Sequence, residues 1–131
     1  MINVLSIHSH KKEELIDITA KVEDIVSAYN IQEGICFLFC PHTTCGLTIN
    51  ENADPSVKKD IVNTLHRIIP ENFSYTHLEG NSPAHIKASL AGSHLVVFVE
   101  NSALKLGTWQ GIFLCEFDGP RSRRVFIKIV R

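Results

Sequence analysis

Several things are scarce in this chain of 131 residues, and each scarcity excludes something. No segment approaches the ~20 consecutive apolar residues that a helix needs to cross a bilayer. The start, Met1-Ile2-Asn3-Val4-Leu5-Ser6, lacks the basic and then apolar stretches of a secretory leader, so a cytoplasmic location is expected. A glycine-rich phosphate loop is missing, which argues against ATP use. The four cysteines (Cys36, Cys40, Cys45, Cys115) form no C-x-x-C pattern, and three lie within or beside apolar runs. They read as buried free thiols in a reducing compartment, with Cys45, in a polar turn, standing apart. Charge of one sign is also lacking. With 13 Lys and Arg against 14 Asp and Glu, the formal net charge of −1 gives no general attraction to nucleic acid or to an anionic membrane. A late basic run, Arg121, Arg123 and Arg124, fits either a solvated turn or an anion site.

What is present suffices for one hydrophobic core. Hydrophobic residues make up 44%, and no repeat or linker divides the chain, so residues 1–131 are expected to form a single domain. Leu15, Ile18, Thr19, Val22, Ile25, Val26 and Tyr29 recur at helical spacing, which predicts an amphipathic helix lying on a sheet. Ile35 to Cys40 is apolar on both faces and rich in β-formers, a central strand stopped by Pro41. Leu47 to Asn50 alternates as the next strand. Asp54-Pro55 is a helix start, a capping carboxylate followed by proline at the first helical position. Val57, Ile61, Leu65, Ile68 and Ile69 then form its buried stripe until Pro70. A shorter helix starts at Ser82-Pro83 and stops near Gly92. Leu95 to Val99, Ile112 to Phe117 and Val125 to Val130 read as strands, the last alternating Val125, Ile127 and Ile129 against Lys128. This order predicts an α+β fold with a mixed sheet.

The polar clusters fall where strands end and helices begin. Pro41-His42-Thr43-Thr44 follows a buried strand, where an imidazole can face a cleft or simply close the strand end. In Asn50 to Pro55, Asp54 has its capping role, whereas Glu51 has none and suits a base, a metal ligand or a histidine partner. The densest cluster runs from Tyr75 to His85. His77 and His85 flank the Gly80-Asn81 turn, which lets two imidazoles converge although they stand eight positions apart. The helix start after Asn81 also offers free N–H groups to an anion. With His42 as a third ligand the trio leaves coordination positions open, as in a catalytic centre; the alternative is ordinary surface histidines, the reading given to His8, His10, His66 and His94. Trp109, beside Gln110, can stack on a flat ring or cover the core. Asp118-Gly119-Pro120 is turn chemistry, and Arg121 can clamp an anion with bidentate geometry.

Taken in order, His42-Thr43-Thr44, Thr48 to Pro55, Glu79-Gly80-Asn81, Ala84 to Ser89, Leu106 to Gln110 and Cys115 to Arg121 resemble the YjbQ-like family, also called the secondary thiamine-phosphate synthase family. The resemblance runs over nearly the whole chain. It implies a mixed sheet bent into a sandwich with about three helices, and a homotrimer. It also implies a histidine-lined pocket that holds a divalent metal, zinc or magnesium, in some members. His42, His77 and His85 then become the metal candidates. Glu51, Asp118 and Arg121 become the catalytic candidates, and Asn81, Lys87, Trp109 and Gln110 the binding candidates. The activity that goes with the resemblance joins a pyrimidine diphosphate to a thiazole phosphate and expels pyrophosphate, so the expected partner is a phosphorylated small molecule, with no nucleic acid or membrane. A hydrolase of a phosphorylated substrate and a non-catalytic module that binds a metal or small ligand are the alternatives.

Overall fold

Hydrophobic alternation sorts the strands into two facing sheets. In the computed structural model, which describes residues 1–131, the elements run β1 (Asn3–His8), β2 (Glu14–Asp17), α1 (Thr19–Ala28), β3 (Glu33–Phe39), β4 (Cys45–Glu51), α2 (Pro55–Ile68), α3 (Ser82–Ala91), β5 (His94–Glu100), β6 (Ala103–Leu104), β7 (Gln110–Glu116) and β8 (Ser122–Val130). A five-stranded sheet has the order β1-β8-β3-β5-β6, and a three-stranded sheet the order β2-β7-β4. The fold is thus α+β, with three helices and two curled sheets. Every pairing is antiparallel rather than mixed. The reason lies in the connections: α1 leads from β2 to β3 and the α2–α3 segment from β4 to β5, in each case between different sheets. No helix therefore returns the chain to a parallel neighbour.

Between the sheets lies the main core. Cys36 and Leu38 of β3, Val97 and Val99 of β5, and Val125, Ile127 and Ile129 of β8 meet Cys45 and Leu47 of β4 and Ile112 and Leu114 of β7. Val22 and Val26 of α1 close one end of it. The three-stranded sheet is covered on its other face as well, where Leu15, Phe113, Cys115 and Phe117 pack against Ala84 and Ala88 of α3 and against Ile61, Val62 and Leu65 of α2. This explains why β7 is buried at every position after Gln110. The outer face of the five-stranded sheet has no such cover, and Phe37, Phe39, Val96 and Phe98 stand exposed on it.

Three expectations need correction. The helical stripe from Leu15 to Tyr29 is helical only from Thr19, because Glu14–Asp17 pairs with β7 as a strand. Asp17 marks the change, accepting hydrogen bonds from the Thr19 backbone and hydroxyl at 3.0 and 2.6 Å. The stripe of α2 covers the sheet loosely: no residue of the helix is fully buried, and Ile68 is 62% exposed. Its start is as expected, with Asp54 accepting from Ser56 N at 2.9 Å ahead of Pro55. All four cysteines are free and buried. Cys45 opens β4 instead of lying in a turn, its sulfur 3.2 Å from that of Cys40. No helix is long and apolar enough to cross a membrane.

Candidate functional site

Antiparallel register decides which chain ends meet. Cys45 lies opposite Glu116 across β4 and β7, and Phe39 opposite Phe126 across β3 and β8. The turn after β3 is thereby set beside the turn between β7 and β8, and the start of α3 closes the third side. Between them is a cavity of about 370 Å³ with no hydrophobic lining, faced by His42, Thr43, Thr44, His77, Glu79, Asn81, His85, Arg121 and Arg123.

Its floor is a buried ion pair. Arg123, 2% exposed, donates from Nε to Glu116 Oε1 at 2.9 Å and from Nη2 to Glu116 Oε2. The same Nη2 reaches Thr44 Oγ1 at 2.8 Å and its carbonyl at 3.2 Å. Glu116, fully buried, also accepts from Ser9 Oγ at 2.6 Å and Asp118 N at 3.1 Å. Burial alone would push the Glu116 carboxyl up. The hydrogen bonds from Arg123, Ser9 and Asp118 outweigh it and hold the group below its ordinary value, so both partners are charged at neutral pH. A charge left alone there would be costly, which is why the pair comes with its full set of hydrogen bonds.

Above the floor sit three histidines. His42 Nε2 accepts the backbone N–H of Arg124 at 2.9 Å. Burial, then the charges of Arg123 and Arg124, lower its pKa, so the ring is neutral at pH 7. His77 and His85 stand edge to face, ring centroids 5.3 Å apart at 89°. Asn81 donates to Asp118 Oδ2 at 3.0 Å, and Arg121 grips the same oxygen through Nη2 at 2.9 Å and the Asp118 carbonyl through Nε at 3.0 Å. Asn81 Oδ1 is the sole buried side-chain polar atom without a partner.

Two imidazoles bound to one tetrahedral ion at metal–nitrogen distances of about 2.0–2.1 Å would have centroids about 5.2 Å apart. The His77–His85 separation matches this, and Glu79 and the unpartnered Asn81 oxygen face or adjoin the same cavity. By side-chain chemistry and centroid spacing His77 and His85 could share an ion, but neither His42 nor Glu79 joins them in a trio of ligand atoms within 4.8 Å of one another. The one trio whose ligand atoms all lie within 4.8 Å of one another is elsewhere, Glu13, His66 and Glu71. That group already has its cation: Lys87 Nζ lies 2.7 Å from Glu13 and 4.0 Å from Glu71.

Of the residues singled out from sequence, His42, His77, His85, Asn81, Asp118 and Arg121 come together at this cavity. Glu51, Trp109 and Gln110 do not. Glu51 pairs across the sheet with Gln110, and Asn52 N donates to the Trp109 carbonyl at 2.9 Å, at the opposite ends of β4 and β7. Six residues of strand separate them from the cavity, about 20 Å. Glu51 also has a structural role there, its carboxylate accepting from Ala53 N and Asp54 N at 3.0 and 3.3 Å. Lys87 is fully buried and points to Glu13, away from the cavity. Sequence reading named Arg123 only within a basic run open to either a solvated turn or an anion site, and it passed over Glu116. A signal for Arg123 was available, since it shares the inward phase of Val125, Ile127 and Ile129, where a charge needs a buried partner.

The fold is an α+β domain of two sheets with a polar histidine cavity where one sheet end meets a helix start. The chain belongs to the YjbQ-like family, whose profile, described as UPF0047 protein YjbQ-like, matches residues 3–131. Among its relatives, the UPF0047 protein MJ1081 of Methanocaldococcus jannaschii is 52% identical over 124 residues, covering 95% of this chain and 90% of the relative. YugU of Bacillus subtilis is 49% identical, covering 99% of both. A crystal structure of a YjbQ/UPF0047 family protein from Clostridium acetobutylicum superposes with a TM-score of 0.95 at 51% identity, over 98% of this chain and 99% of that one. A YjbQ-like protein from Sulfolobus solfataricus gives 0.94 at 33% identity, over 99% and 96%.

Proposed function

We propose that the chain is a metal-assisted enzyme acting on a phosphorylated small molecule. The observation that carries this reading is the pairing, in one cavity free of hydrophobic lining, of His77 and His85 at metal-compatible spacing with the guanidinium groups of Arg121 and Arg123. His77 and His85, with Glu79 beside them, would hold a zinc- or magnesium-like ion, which when bound neutralises phosphate charge. Arg121, fixed by Asp118, and Arg123, fixed by Glu116, orient the anion. Asp118 then acts by positioning, since Arg121 and Asn81 occupy one of its oxygens.

Thiamine-phosphate synthesis is the specific reaction to try first, with pyrophosphate as the leaving group. Hydrolysis of a phosphorylated substrate is the second reading, favoured by one observation: Trp109, the residue suited to stack on a pyrimidine, lies about 20 Å from the cavity within a protomer. Self-association into a homotrimer in the cytoplasm completes the proposal, and the exposed Phe37, Phe39, Val96 and Phe98 on an uncovered sheet face support assembly.

The test is metal content of tag-free protein purified without chelator, beside His85→Ala, followed by turnover assays for pyrophosphate and phosphate release. About one ion per chain, lost in the variant together with turnover, is the expected result. Saturable binding with no turnover of any phosphorylated substrate would replace the enzyme by a binding module.

A further inference from the structure

The two halves of the cavity are built differently, and the difference assigns His42 to a role other than metal ligation. A backbone N–H has only a proton to give. The Arg124 N–H donated to His42 Nε2 at 2.9 Å therefore occupies that nitrogen's lone pair, and in a neutral ring the proton must reside on Nδ1. A ring so arranged has no lone pair left for a metal. Its Nδ1–H has no partner in the chain and is not among the buried unpartnered atoms, so it is open to solvent on a residue that lines the cavity. The neighbouring guanidinium groups follow the same plan. Arg121 spends Nε and Nη2 on Asp118, and Arg123 spends Nε and Nη2 on Glu116 and Thr44, which leaves Nη1 of each uncommitted. Thr43 adds a hydroxyl on the same wall. This half offers hydrogen-bond donors whose other atoms are held from behind, and the half opposite offers the His77 and His85 pair.

We infer that His42, Thr43, Arg121 and Arg123 form an oxyanion subsite for the phosphate of the substrate, in which His42 is a neutral Nδ1–H donor and not a metal ligand. The inference deepens the proposed function and rests on it for the identity of the anion. A tetrahedral phosphate suits the subsite because its several oxygens can accept from donors arriving along different directions. The preset tautomer means that no proton has to move when the anion binds.

Three measurements test this on the full-length protein. Long-range ¹H–¹⁵N correlation of the histidine rings in metal-free protein reads the tautomer directly: the proton of His42 is expected on Nδ1, and a proton on Nε2 overturns the inference. Zinc content of His42→Asn is expected to equal that of the wild type while His85→Ala loses the ion; zinc lost from a folded His42→Asn makes His42 a ligand and overturns it as well. Calorimetric titration of zinc-loaded protein with inorganic phosphate is expected to show about tenfold or greater weakening in His42→Ala, the loss of one hydrogen bond to a charged group. His42→Asn, whose amide N–H stands near the place of Nδ1, is expected to keep most of the affinity. Equal phosphate binding by His42→Ala and wild type overturns the role, as does failure of the wild type to bind phosphate at all. Phosphate binding without zinc uptake would remove the metal half of the proposed function and leave the subsite standing, so the two failures are distinguishable.

Discussion

Removing the Glu116 carboxylate would leave the Arg123 guanidinium, 2% exposed, without its counter-charge. Breaking one side of a buried pair costs about 3–5 kcal/mol, a large part of the roughly 5–15 kcal/mol that stabilises a domain. Glu116→Gln keeps the shape of the side chain and some hydrogen bonds, so the lower end, about 3 kcal/mol, is expected. For a chain of this length that lowers Tm by about 10 °C, measured by calorimetry or circular dichroism at fixed protein concentration. A double variant, Glu116→Gln with Arg123→Met, removes both charges and should recover part of the loss, giving a coupling of 1 kcal/mol or more, within the ~0.5–3 kcal/mol typical of contacting residues. The pH dependence carries a definite sign. The folded carboxyl titrates below its unfolded value of about 4.3, so its contribution is fully present above that pH and is lost as the pH falls through the folded pKa. The wild type should therefore lose stability on acidification below about pH 4 more steeply than Glu116→Gln. Single variants as stable as the wild type, with parallel acid profiles, would refute the argument that this pair is the fixed floor of the cavity.

Three further outcomes follow from the same geometry. Lys87→Met removes a fully buried ammonium from Glu13, which keeps slight exposure and His66 as a neighbour, so a loss of about 2 kcal/mol in chemical denaturation with unchanged phosphate affinity is expected; weakened phosphate binding would return Lys87 to the site. Glu51→Gln should cost about 1 kcal/mol through the turn before α2 and leave metal content unchanged, as read by thermal shift and elemental analysis. The Cys36 and Cys115 thiols should resist a disulfide reagent in native protein and react on unfolding, since burial pushes them up to about 11 and about 12; rapid native labelling of either would contradict the burial.

Much of the fold was legible because the strongest local signals agree with the tertiary arrangement. Asp54-Pro55 and Ser82-Pro83 start helices, and the alternation of Val125, Ile127 and Ile129 faces the core. The failures have a common cause. Leu15 satisfies helical spacing with Ile18, Thr19 and Val22, yet it pairs with Cys115 of β7. A short edge strand of four residues carries too little pattern to outweigh a helical period, and only the partner strand, a hundred positions away, decides. The apolar stripe of α2 misled in the other direction. Amphipathicity predicts which face turns inward but not how closely the helix approaches its sheet.

The site was half legible for a topological reason. Polar clusters at strand ends are good candidates, but a strand has two ends. β4 begins beside the His42 turn and ends at Glu51, and β7 begins at Gln110 and ends at Glu116, so motifs adjacent in sequence are divided between opposite ends of one sheet. The family resemblance grouped Glu51, Trp109 and Gln110 with the histidines, whereas antiparallel register separates them within a protomer. The register also selects what sequence passed over. Because Cys45 pairs with Glu116, the buried carboxylate lies beside the turn that carries His42, and the inward phase of β8 delivers Arg123 to it. The basic run was open to a solvated turn or an anion site, and phase places Arg123 under the cavity, where an arginine tied to a glutamate presents its remaining N–H groups in one fixed direction.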